Sequence, residues 1–95
     1  MSELNVFHLN ALRILHDEAE ATPRLRSALV ALEHPQLQRG IRAGLEDFLA
    51  NPFVQTAMSI LRTFGKNYKV NQAVKLLEEA GKDYAEEQRK SKKKR

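Results

Sequence analysis

The sequence predicts an all-α fold: a compact bundle of about five short helices over residues 1–87, followed by a disordered basic tail over residues 88–95. Three observations carry this expectation. Apolar residues recur at steps of three or four through most of the chain, as one buried face of a helix requires. No stretch alternates apolar and polar residues with β-branched enrichment, which removes a sheet. Thr22-Pro23, His34-Pro35 and Asn51-Pro52 cut the pattern into short pieces, because the residue before a proline is driven out of the helical region. A chain of 95 residues supplies one domain at most, and without cysteine it is stabilised by packing rather than by disulfides or thiolate metal sites.

The first helix is expected over residues 3–20, with Leu4, Phe7, Ala11, Leu15 and Ala19 on the buried face and Ser2 as its cap. Thr22-Pro23 starts a second helix, in which Thr22 caps and Leu25, Ala28, Leu29 and Leu32 face inward until His34-Pro35. Pro35 opens a third, with Leu37, Ile41, Gly44, Leu45 and Phe48 on one face. Asn51-Pro52 repeats the device for a fourth helix, lined by Phe53, Ala57, Ile60, Leu61 and Phe64 and closed by Gly65 in the left-handed conformation. Val70, Ala73, Val74 and Leu77 mark a fifth helix that Gly81 should end, after which Asp83 and Glu86 have capping-box spacing for a last short one. Val6, Leu9, Val30 and Met58 lie off these stripes and are either extra core or an interaction patch.

The formal net charge is +4, but position matters more than the total. Arg89, Lys90, Lys92, Lys93, Lys94 and Arg95 place six cations in the last seven residues, which leaves ten basic against twelve acidic side chains in the rest. Residues 2–20 are acidic, whereas residues 52–77 carry Arg62, Lys66, Lys69 and Lys75 with no acid. Six like charges in a row neither pack nor tolerate one another without an anion, so the tail suits a phosphate backbone, a nuclear address or a solubilising end. Membrane attachment is the weakest option, since Ser2 stands where myristoylation needs glycine and no apolar run is long enough to span. A soluble protein of the cytoplasm is expected, with a nuclear or nucleoid-associated location as the alternative.

Little in the chain points to catalysis. His8, His16 and His34 are far apart and read as two boundary residues and one helix-end residue, so no metal site is expected. Asp17 with Glu18, Glu46 with Asp47, and Glu78 with Glu79 are adjacent pairs that splay on a helix, and no serine sits in a nucleophile elbow. No glycine-rich phosphate loop is present. The expected protein is therefore a non-enzyme without a cofactor. Gly40 and Gly44, four residues apart, strip side chains from one strip of the third helix and suggest a close helix crossing or, less simply, a homodimer contact.

The most suggestive internal segment runs from Phe64 to Lys75, where a glycine turn delivers a helix bearing Lys69, Asn71, Gln72 and Lys75. Lysine neutralises phosphate and the amides can pair with base edges, though a solvated helix face accounts for the same residues. Tyr68 and Tyr84 are too few and too far apart in sequence for a stacking platform. The leading expectation is a small helical protein that binds nucleic acid, DNA or RNA, through phosphate contacts of Arg62, Lys66, Lys69, Asn71, Gln72, Lys75 and the tail, as a small subunit of a larger nucleoprotein assembly. The alternative is a helical adaptor, inhibitor or immunity-type protein whose bundle surface docks a protein partner.

Overall fold

The computed structural model describes the backbone of residues 5–43 and 48–93 and the side chains of residues 5–39 and 48–87. Among the described residues every regular element is helical: α1 Val6–Ala21, α2 Leu25–Leu32, α3 Pro35–Ala43, a 3-10 turn Phe48–Ala50, α4 Pro52–Arg62 and α5 Tyr68–Lys93.

The caps explain where these elements begin. Asn5, in an extended conformation, accepts a hydrogen bond from the His8 amide at 2.8 Å and starts α1; Ser2, the expected cap, lies outside the described residues. No side chain caps α2, and Thr22 and Pro23 act through their carbonyls, which accept from the Leu25 and Arg26 amides at 3.0 Å each. The junction to α3 is held by His34, whose Nδ1 accepts from the Gln36 amide at 3.1 Å while its ring stacks on Phe53 with centroids 4.2 Å apart. Asn51 behaves as read from the sequence: its Oδ1 accepts from the Phe53 amide at 2.8 Å and Pro52 occupies the first turn of α4.

Three sequence expectations are corrected. Gly65 is not in the left-handed region, and α4 closes instead through tight turns in which the Thr63 and Phe64 amides reach the Ile60 and Leu61 carbonyls at 3.1 and 3.0 Å. Gly81 does not end a helix, and Asp83 and Glu86 do not open another: α5 runs on through both as one 26-residue helix. The reason is packing. A Cβ on Gly81 would stand 2.5 Å from Cγ of Leu49, so glycine is the seat on which the 3-10 turn rests, and that contact offsets the roughly 1 kcal/mol helix cost of glycine. Phe48, expected on the face of the third helix, belongs to that separate turn and is buried. The proposed crossing at Gly40 and Gly44 lies outside the described side chains; of the basic tail the backbone is described as the end of α5 through Lys93, and its side chains and residues 94–95 lie outside the described residues.

The helices pair as α1 on α5 and α2 on α4, with α1 also against α2 and the 3-10 turn wedged onto α4 and α5. Asn5 at the start of α1 donates through Nδ2 to the Ala80 carbonyl at 3.0 Å, while Glu18 near its end accepts from Nδ2 of Asn67 just before α5, so the two helices run antiparallel. Leu15, Leu25, Leu32, Leu61 and Leu77 are fully buried between them, each contributing about 1.5–3 kcal/mol by removal from water. The buried stripe of α4 is turned from the expected one, with Val54, Ala57, Met58 and Leu61 inside and Phe53, Ile60 and Phe64 only partly covered. Met58 is thus core, whereas Val6, Leu9 and Val30 stand exposed.

Candidate nucleic-acid interface

The corner between α4 and α5 is rigidly made. Asn67 caps α5 with one oxygen that accepts from the Lys69 amide at 2.9 Å and the Val70 amide at 3.2 Å. Its Nδ2 donates to Oε1 of Glu18 at 3.1 Å and so fastens the corner to α1. Asn71 folds back on the same turn, its Nδ2 donating to the Gly65 carbonyl at 2.7 Å. A chain held this way presents its exposed side chains from a fixed backbone.

Arg62, Lys66, Lys69, Gln72 and Lys75 are all exposed, and none of the four cations joins an ion pair among the described residues. They do not form one cluster. Arg62 leaves the end of α4 and lines an open groove with Leu49, Gln55, Met58 and Glu78, where a carboxylate shares its surroundings. Lys66 and Lys69 flank the α5 start. At about 100° per residue, positions 68, 71, 72 and 75 fall on one outward face of α5, opposite the buried Val70, Ala73 and Leu77. Asn71 is exposed, but one of its two amide N–H donors is already engaged, which leaves the other and its oxygen for a ligand.

The same helix then changes sign. Glu78, Glu79, Glu86 and Glu87 are exposed beyond Lys75, and among the described residues Lys82 pairs with Glu79 at 3.7 Å. Lys75 and Arg89 are fourteen residues apart on α5, about 21 Å along its axis. The corner and the basic end, with Lys90, Lys92, Lys93, Lys94 and Arg95, are therefore two basic segments divided by an acidic one.

A second polar cluster escaped the sequence reading. His8, expected at a boundary, is fully buried between α1, α5 and the 3-10 turn. Its Nδ1 lies 2.9 Å from the Tyr84 hydroxyl, which accepts from the Asn5 amide at 3.1 Å. The simplest proton arrangement has Tyr84 donating to Nδ1, so that Nε2 carries the hydrogen. Nε2 is buried without a hydrogen-bond partner. Burial lowers the His8 pKa to about 4 against a smaller opposite pull from Glu33. Burial likewise raises Tyr84 to about 12, the Asn5 bond working against this and the Asp83 and Glu87 carboxylates with it. Both groups are uncharged at neutral pH.

The remaining histidine, His16, meets Glu33 at 2.9 Å across an exposed groove between α1 and α2 that Glu20, Arg26 and Val30 also line. A pair this open adds little stability. Among the described residues no three His, Cys, Asp or Glu side chains converge on a metal position, and no helix is long and apolar enough to cross a membrane.

The class defined by these features is a small all-helical protein with an exposed basic corner. No protein-family model matches the chain, no curated protein matches it, and no solved structure matches its fold.

Proposed function

We propose that this protein is a non-enzymatic nucleic-acid-binding protein that engages phosphates through the α4–α5 corner and its basic end, as a small subunit of a nucleoprotein assembly. The observation that supports it most is the set Lys66, Lys69 and Lys75, exposed and unpaired among the described residues, with Lys66 and Lys69 at a turn braced by its own hydrogen bonds and Lys75 two turns into α5. Lys66 and Lys69 pair with no carboxylate among the described residues, which leaves their charge for an external anion, whereas Lys75 lies one turn from Glu78 and Glu79. Arg62, beside Glu78, is the weaker contributor. A binding role also suits the most buried titratable pair, His8 and Tyr84, whose shifts move both away from proton exchange near pH 7.

The test is a titration of labelled single-stranded and duplex DNA and RNA with the full chain at several salt concentrations. Phosphate binding weakens steeply and linearly on a log-log plot. Binding that does not change with salt, or none at about 50 mM salt, refutes the proposal. One observation favours a protein partner instead: Val6 and Leu9 sit one turn apart on the outside of α1, 59% and 50% exposed, and Val30 is 66% exposed on α2. Docking through these residues would be insensitive to salt and would show a negative heat-capacity change.

A further inference from the structure

We infer that the start of α5 and its outward face form a short single-strand site, in which Tyr68 stacks one unpaired base while Lys75 on that face, and Lys66 and Lys69 beside it, hold the adjoining phosphates. This rests on the nucleic-acid reading above and deepens it by naming the form of the ligand.

The two tyrosines, equivalent in sequence, have opposite fates. Tyr84 spends its hydroxyl on Asn5 and His8 and its ring on Phe48, with centroids 5.1 Å apart. Tyr68 is 75% exposed, the most exposed large hydrophobic side chain among the described residues, and neither its ring nor its hydroxyl has a partner there. An aromatic ring at the first position of a helix is not needed for packing or capping, since Asn67 already caps α5.

Its surroundings suit a nucleotide. Tyr68, Asn71, Gln72 and Lys75 stand at i, i+3, i+4 and i+7 on one face, a strip about 10 Å long. A ring occupies one end and a cation the other, with an amide side chain, Gln72, and the free oxygen of Asn71 between them. An aromatic face gives sequence-tolerant stacking, and amides can read a splayed base on its edge. Glu78 and Glu79 end the strip one turn beyond Lys75, which limits it to two or three nucleotides. A duplex keeps its bases stacked on one another and would leave Tyr68 idle, so the ring distinguishes single strands from duplex.

The experiment compares the full chain with Tyr68→Ala, Tyr68→Trp and Lys66→Gln/Lys69→Gln/Lys75→Gln on a single-stranded oligonucleotide and on a duplex. Tyr68→Ala should weaken single-strand binding about 5- to 150-fold, the equivalent of losing one base stack, with the duplex changed less than twofold. Tyr68→Trp should retain affinity, and the indole, the sole tryptophan, should be quenched on binding. Because Tyr68 is exposed, its variants should melt with the parent, which separates lost contact from lost fold. Unchanged affinity in Tyr68→Ala, with the triple lysine variant impaired, overturns the stacking site and leaves the phosphate reading standing. Absence of salt-sensitive binding in the parent removes both.

Discussion

Lowering the pH should expose the cost of burying His8 without a charge. The imidazole titrates at about 4 in the folded protein against 6.5 in an open chain, so between those values the unfolded state binds a proton that the folded state refuses. Stability is therefore unaffected by His8 above pH 6.5, falls as pH drops through the window, and reaches its full loss below pH 4. The difference amounts to about 3 kcal/mol at the acid limit, and about 2 kcal/mol of it is lost between pH 7 and pH 4.5. His8→Phe isolates this effect, because every other titrating group is common to both proteins. At pH 7 the variant should be less stable by about 1 kcal/mol, having lost the Tyr84 hydrogen bond. By pH 4.5 the order should reverse. Urea denaturation at the two pH values reads the crossover directly, and parallel pH dependences for parent and variant would show that His8 is not held neutral in the core.

Three further expectations test the packing. Gly81→Ala should destabilise by about 1 kcal/mol because its Cβ meets Leu49, yet stabilise by a similar amount in a Leu49→Ala background, where only the helix propensity of alanine remains; the same sign in both backgrounds refutes the seat. Gly65→Ala should be neutral or stabilising by about 0.5 kcal/mol, since its backbone is not left-handed and a Cβ there approaches only the Arg62 carbonyl at 3.5 Å; a large loss in thermal unfolding would restore the left-handed cap. Met58→Ala should cost about 2–5 kcal/mol and Val30→Ala less than about 0.5, and comparable denaturant midpoints for the two would contradict their assignment to core and surface.

Helical class, the Asn51-Pro52 start and most of the buried leucines were legible in the sequence because they follow from local rules, namely period, proline and capping chemistry. What was not legible depended on contacts distant in sequence. Gly81 reads as a stop signal until Leu49 occupies the space its missing side chain leaves. His8 reads as a boundary residue until Tyr84, 76 positions away, supplies the hydrogen bond that allows burial. The face of α4 could not be fixed because Phe53, Val54, Ala57, Met58, Ile60 and Leu61 form an apolar arc too wide for period alone to orient. At the corner, Lys66, Lys69, Gln72 and Lys75 were visible as residues, whereas the acidic band beyond them matters only once α5 is known to be continuous. Tyr68 carries a sequence signal of its exposure: it begins the polar i, i+3, i+4, i+7 stripe, so a helix starting there must turn its ring outward.

The most direct test of the corner as a phosphate-binding surface is the salt dependence of single-strand affinity for the full chain and for Lys66→Gln/Lys69→Gln/Lys75→Gln. Each phosphate contact on a single strand contributes about 0.7 to the log-log slope, so neutralising three engaged lysines should reduce its magnitude by about 2, with the fold unchanged because all three side chains are exposed. Equal slopes for the two proteins would contradict the assignment and place any binding elsewhere on the chain.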